Sequence, residues 1–163
     1  LLNLAAEVAF SGDFSERNYS SACKILFEHS GSRGMIHGQC LDLFVPTVRE
    51  NDAIEVAVCK TADLLRAALV CGSICGGADT NHLDTIDRLA TSLGICYQLA
   101  DDLSDASKNE KSFLSVLSTA DCLQLFDTHL QIVTECVQSL PYDFGFVFRV
   151  TEWLSDSVMP IRG

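Results

Sequence analysis

Helices alone should build this chain, and a single bundle should hold them. Apolar residues recur at three- and four-residue intervals almost from end to end, whereas period-two alternation is confined to Phe144, Phe146 and Phe148. The 163 residues, 48% of them hydrophobic and only three of them proline, suit one ordinary domain with a substantial core. No internal repeat and no low-complexity stretch divides the chain. An all-α helical domain is therefore expected.

The helices can be taken in order. The first runs through Phe10 and breaks at Ser11-Gly12-Asp13. A second covers roughly Glu16 to Ser30 and stops at Gly31; a third spans about Arg33 to Phe44, ahead of Pro46. Asp52, with Glu55 three residues on, reads as the N-cap of a fourth helix that continues to Gly72 or the Gly76-Gly77 pair. The fifth begins near Asn81, has Asp84 and Asp87 in its early turns, and ends in LADDLSD. A short polar link from Ala106 to Lys111 leads to Ser112. Ser118, with Asp121 three residues on, caps a sixth helix whose apolar stripe is Leu123, Phe126, Leu130, Val133 and Val137. The last runs from about Asp143 to Val158 and is closed by Pro160.

Charge narrows the partners. Eleven Lys and Arg face 22 Asp and Glu, a net charge of −11, and the positive residues are scattered, so broad binding to nucleic acid or anionic membrane is not expected. No stretch resembles a transmembrane segment. The chain opens on LLNLAAEVAF, already a helical pattern, with no initiator Met and no signal-peptide n-region, which suggests a piece of something longer. Its eight cysteines fall mostly inside apolar helical runs and read as reduced thiols acting as small hydrophobes, hence a reducing compartment such as the cytoplasm. Cys71 and Cys75 form C-x-x-x-C rather than the C-x-x-C of zinc or redox sites.

The chemistry gathers on the fifth helix. Asp101, Asp102 and Asp105 form D-D-x-x-D, with Gln98 one turn before Asp101. Three carboxylates at a helix C-terminus repel each other and the negative end of the macrodipole, an arrangement relieved by a cation. Oxygen donors without His or Cys favour a hard ion such as Mg²⁺, which shares its shell with water and substrate phosphates. The competing reading is a solvated acidic face. Lys60 lies between apolar turns of the fourth helix, where it needs a partner. With Thr61 beside it as a hydroxyl donor it suits a diphosphate; a structural ion pair with the same aspartates is the alternative. In GMIHGQCLDLF, Gly34 and Gly38 allow close approach of another helix or a ligand. In the same segment Gln39 and Asp42 either meet a ligand or satisfy each other. The four histidines show no metal spacing, and no nucleophile elbow, P-loop or dinucleotide fingerprint is present.

In order along the chain, GMIHGQCLD (Gly34 to Asp42), KTADLL (Lys60 to Leu65), CGGAD and LGICYQLADDLSD (Leu93 to Asp105) resemble the trans-isoprenyl diphosphate synthases, the polyprenyl synthetase family that includes farnesyl and geranylgeranyl diphosphate synthases. The resemblance covers most of the chain and weakens after Ser118. It implies a helical bundle of the isoprenoid synthase type, whose central cavity carries two aspartate-rich motifs, and residues 1–163 as the C-terminal portion of one such domain. It implies Mg²⁺-dependent condensation of isopentenyl diphosphate with an allylic diphosphate through ionisation to a carbocation. Asp101, Asp102 and Asp105 are then the second metal motif, with Asp101 foremost. Lys60, Thr61 and Gln98 contact the allylic diphosphate or steady the cation, and Gln39 and Lys111 bind substrate.

Two departures accompany the resemblance. The family's first aspartate-rich motif lies before the position of Leu1, and the loop after Asp105 is shorter than usual. They leave a second reading open: a non-catalytic small subunit that regulates a homologous catalytic partner, since plant versions carry a C-x-x-x-C like Cys71 to Cys75. That reading allows a heteromer and a plastid location, where the first implies a homodimer. A class I terpene cyclase is disfavoured, because K-T and G-Q-x-x-D mark the chain-elongating branch.

Overall fold

A computed structural model describes residues 2–11, 17–46, 49–105 and 112–162. The helices are α1 (Leu2–Phe10), α2 (Arg17–Ser30), α3 (Met35–Phe44), α4 (Glu50–Ala57), α5 (Asp63–Cys75), α6 (Leu83–Ser104), α7 (Thr119–Ser139) and α8 (Gly145–Val158), and the described residues contain no strand. Phe146 and Phe148 lie in α8 with exposed side chains, so the short alternation marks no strand. The break expected at Gly12-Asp13, the start at Glu16, and the link that carries Lys111 lie outside the described residues.

α6 is the axis of the bundle. It is apolar on most of its circumference, which is what a helix surrounded by others requires. It packs against α7, α5, α8 and α4, while α2 lies along α5. Ile86, Leu89 and Leu99 of α6 meet Phe126 and Val133 of α7 and Leu154 and Val158 of α8 in the core. Each such side chain contributes about 1.5–3 kcal/mol on leaving water. Of the predicted α7 stripe, Phe126, Val133 and Val137 are buried, and Leu123 and Leu130 pack partly buried against the core.

Helix ends follow the local chemistry. Asp79 accepts the Asn81 N–H at 2.9 Å and opens a single 3₁₀ turn (Thr80–His82) ahead of α6. Ser118 accepts the Asp121 N–H at 3.2 Å while its own hydroxyl donates to the Asp121 carboxylate at 2.6 Å. Asp143 accepts the Gly145 N–H at 2.8 Å at the start of α8. Asp52 differs from its expected role: α4 begins two residues earlier, and Asp52 is its third residue, accepting the Arg49 N–H at 2.9 Å. The helix start therefore belongs to Arg49, with the carboxylate reaching back to it.

The expected fourth helix is two helices joined by one π turn, Val58–Ala62, in which the Asp63 N–H bonds to the Val58 carbonyl five residues back. The extra residue moves the buried line. Ala53 and Ala57 face the core before it, and Ala62, Ala67 and Val70 after it. An unbroken α-helix would have carried the same line through Lys60 and Leu64, and Leu64 is exposed instead.

The π turn is gripped from both sides. On α3, a methyl on Gly38 would overlap the Lys60 backbone nitrogen; on α6, a methyl on Gly94 would overlap Ala62. Of the two glycines expected to share one helix face, only Gly38 lies within α3. Gly34 sits in the preceding turn against the His29 carbonyl. Beyond the π turn, buried Asp63 lies 2.9 Å from His29 Nδ1 and accepts Arg66 at 2.8 Å, and Arg66 also clasps both oxygens of Asp87, at 2.7 and 2.8 Å. That network ties α2, α5 and α6 together and leaves no buried charge without a partner.

None of the eight cysteines is bonded to another; Cys96, Cys122 and Cys136 are fully interior. Burial pushes the Cys96 thiol up to about 12 and that of Cys122 to about 11, so both stay protonated as small hydrophobes. Among the described residues no helix is long and apolar enough to cross a membrane.

Gly38→Ala and Gly94→Ala should each destabilise the fold by about 1–3 kcal/mol, because backbone rather than a flexible side chain must yield. Gly72→Ala, whose new methyl meets nothing within 4 Å, should stabilise by about 0.5–1 kcal/mol. Urea denaturation midpoints measure all three. Burial also holds the His129 imidazole below its usual range, with Ser92 Oγ at 3.3 Å. The unfolded chain then takes up that proton first as pH falls, so His129 costs stability progressively below its ordinary value of 6.5. His129→Gln should gain on the wild type between about pH 7 and pH 5 in the same assay.

Candidate functional site

The π turn and the last two turns of α6 bring most of the expected site residues to one place. Thr61 Oγ1 donates to Gln98 Oε1 at 2.9 Å, and Gln98 Nε2 donates to Asp102 Oδ1 at 2.8 Å. The second oxygen of Asp102 accepts the backbone N–H of Phe113 at 2.7 Å. Thr61, Gln98, Asp102 and the residue that follows the 106–112 segment thus form one chain of hydrogen bonds. The Thr61–Gln98 contact exists because Gly94, one turn before Gln98, admits the backbone of Ala62, one residue after Thr61.

Lys60, next to Thr61 in the π turn, takes its partner from α3. Its Nζ donates to Asp42 Oδ2 at 2.8 Å, with the two side chains 30% and 22% exposed. The ion pair expected as an alternative therefore exists with a different acid: the partner comes from α3, not from the aspartate-rich end of α6. The ammonium keeps access to solvent and has donor capacity beyond this one contact. Gln39, on the same helix as Asp42, is exposed. Lys111 lies outside the described residues.

The three carboxylates of D-D-x-x-D divide between two environments. Asp101 and Asp105 are exposed, one turn apart at the end of α6, and the Asp105 N–H bonds to the Asp101 carbonyl at 3.0 Å. Asp102 is 8% exposed and turned inward, both its oxygens already accepting hydrogen bonds. Burial pushes its carboxyl above the usual carboxylate range; Asp101 adds to this, and the Phe113 N–H, Gln98 and Lys60 oppose it. Gln98, expected on one stripe with Asp101, bonds instead to Asp102, because four residues bring side chains into register on an α-helix more closely than three do here.

Among the described residues no three His, Cys, Asp or Glu side chains gather around one possible metal position. The donor set nonetheless suits Mg²⁺ in one respect. Asp101 and Asp105 are exposed at the negative end of a helix, and Mg²⁺ takes one or two carboxylates together with water and phosphate. Asp102 differs from them: it is buried, and each of its oxygens already accepts one protein donor. The pocket behind these groups, lined by Asp42, Ala53, Lys60, Gln98, Asp102 and Phe113, has about 20 Å³ of room, enough for roughly one water molecule. A larger anion does not fit inside it.

Two participants have little signal in sequence. Asp42 stood out only through its spacing from Gln39, and nothing local marked it as the Lys60 partner. Phe113 contributes a backbone N–H, which no side-chain pattern records.

Known proteins give this arrangement its context. The polyprenyl synthetase family model matches residues 4–119. Over 116 residues, 68% of this chain, the sequence is 31% identical to geranylgeranyl pyrophosphate synthase 4 of Arabidopsis thaliana, and the match spans 31% of that relative's length. Among solved structures, the geranyltransferase of Legionella pneumophila superposes with a TM-score of 0.79 at 21% identity, over 97% of this chain and 58% of that one. The geranyltransferase of Helicobacter pylori complexed with magnesium and isoprenyl diphosphate gives 0.73 at 21% identity, over 96% and 56%. At these identities the likeness establishes the fold, and it is the helical bundle expected.

The geometry separates two kinds of cost. Lys60→Ala and Asp42→Asn break a partly exposed pair and should each change stability by no more than about 1 kcal/mol. Asp102→Ala strands the buried Phe113 N–H and one end of Gln98, and should cost about 2–4 kcal/mol. Chemical denaturation of the three variants measures the difference.

Proposed function

As the chain belongs to the polyprenyl synthetase family, we propose that it acts in the condensation of isopentenyl diphosphate with an allylic diphosphate to give a longer prenyl diphosphate. One observation carries the reading: the partly exposed Lys60 ammonium borders the same small pocket as Gln98 and Asp102 of the Thr61–Gln98–Asp102 chain, at the end of α6 where Asp101 and Asp105 are exposed. A diphosphate is the ligand that needs both, a cation donated directly and acids that recruit a second cation.

Bound Mg²⁺ would supply positive charge that neutralises the leaving diphosphate. The protein groups divide the remaining work. Asp101 and Asp105 would hold the ion, in keeping with a donor set of oxygens alone. Lys60, held by Asp42, binds a diphosphate oxygen as a point charge and adds to the stabilisation of the departing group. Gln98 and Thr61 border the position where the allylic carbon becomes cationic, and their oxygen dipoles favour positive charge there. Gln39, exposed on α3, and Lys111 are proposed to meet substrate at the rim. No side-chain nucleophile is required, because the bond breaks by ionisation. The unpaired cysteines support a reducing compartment as the place of action. Assembly as a homodimer is part of the same proposal.

The complete gene product, incubated with labelled isopentenyl diphosphate and dimethylallyl, geranyl or farnesyl diphosphate, should form a longer product that disappears on chelation of divalent cations. Product formed only after addition of a catalytic homologue would replace the enzyme reading with that of a regulatory subunit. Lys60→Ala and Asp101→Ala should each lower turnover by about 10²–10³-fold with the circular dichroism spectrum unchanged. Unchanged turnover in either variant would remove that residue from the site.

A further inference from the structure

We infer that Asp102 is a positioning residue, one that fixes the direction of the hydrogen bonds running through Gln98 to Thr61. The inference deepens the proposed prenyl-transfer site and takes Asp102 out of the metal's coordination shell. An ionised carboxylate only accepts, and Asp102 receives the Phe113 N–H on one oxygen and the Gln98 side chain on the other. The group that Gln98 turns toward it must therefore be the NH₂, so the amide orientation is dictated by charge. The Gln98 carbonyl is left facing Thr61, and it takes the only hydroxyl proton Thr61 has, at 2.9 Å.

The consequence at the reacting face is a fixed polarity. Thr61 was expected to donate to a diphosphate; with its proton committed inward, it presents only lone pairs outward. Lone pairs repel phosphate oxygens and attract developing positive charge. Asp102 thereby sorts the two neighbours in sequence: Lys60 serves the anion, Thr61 the cation. The Phe113 bond matters because it uses the oxygen that would otherwise compete for the same amide, and Asp102 is buried, which strengthens both bonds.

Asp102→Asn is the informative variant. The Asn carbonyl still accepts the Phe113 N–H, but its NH₂ confronts the Gln98 NH₂. Gln98 must then flip, and the Thr61 proton is released outward. Three readouts follow. The Gln98 side-chain amide resonances in ¹⁵N spectra should move strongly in Asp102→Asn and little in Thr61→Val. Turnover should fall by about 100-fold, the scale of a small misplacement at a reacting centre, with the Mg²⁺ concentration for half-maximal rate unchanged. The double variant should be no slower than the slower single variant, since both act through one hydroxyl.

Titration of Mg²⁺ with inorganic pyrophosphate should shift the resonances of Asp101 and Asp105 and leave the Asp102 side chain on Gln98. A Gln98 amide unmoved by Asp102→Asn, a half-maximal Mg²⁺ concentration raised tenfold and rescued by excess Mg²⁺, or fully additive losses would each overturn the inference. A wild-type protein with no prenyl transfer would defeat the functional reading alone, because the amide resonances and the pyrophosphate titration judge the role of Asp102 without turnover.

Discussion

The site rests on two places where backbones touch with no side chain between them. Gly38 lets α3 lie against the Lys60 peptide, and Gly94 lets α6 lie against Ala62. Between these contacts the π turn is held on both flanks, and its two polar residues bond to different helices, Lys60 to Asp42 on α3 and Thr61 to Gln98 on α6. A π turn in an isolated helix is an unfavourable insertion. Here close packing on both flanks holds it in place.

Electrostatics at the end of α6 follow from the same placement. Two acids remain in water at the negative end of a long helix, while the third is withdrawn and fully hydrogen-bonded. The exposed pair gains from any cation that arrives. The withdrawn one stiffens the framework behind it. A run of identical residues thus performs two physical tasks, separated by one residue of helical rotation.

Much of this is legible in the amino-acid sequence. Helical periodicity located the major helices because their apolar stripes are long, and one end carried a recognisable cap, Ser118; the Asp79 cap ahead of α6 was not anticipated. The segments bearing Lys60, Thr61, Gln98 and the aspartates stood out because polar residues interrupt otherwise apolar turns. The hidden parts depended on the third dimension. Asp52 could not be told from an N-cap, since a carboxylate one turn inside a helix has the same sequence neighbours. The π turn left no mark, because VCKTA propagates an α-helix equally well by local propensity. The Lys60 partner came from 18 residues away on another helix, and the inward turn of Asp102 depended on a backbone N–H beyond a connecting segment.

The inserted residue at Val58–Ala62 also sets how this region tolerates change in length. Each residue of an α-helix advances the face by about 100°, so the same residues wound as an unbroken α-helix would rotate everything after Ala62 by about that angle. Leu64, now exposed, would swing toward the core, and Asp63 and Arg66 would leave His29 and Asp87. The α5 surface that meets α2 would face elsewhere. Removing one residue from the turn has the opposite result: regular winding then puts Ala62 four positions after Ala57, on the line the core already uses. A second added residue has no such absorption and would rewrite the pairing of two helices at once. The turn is therefore the place where this long helical stretch can lose a residue without turning its far half.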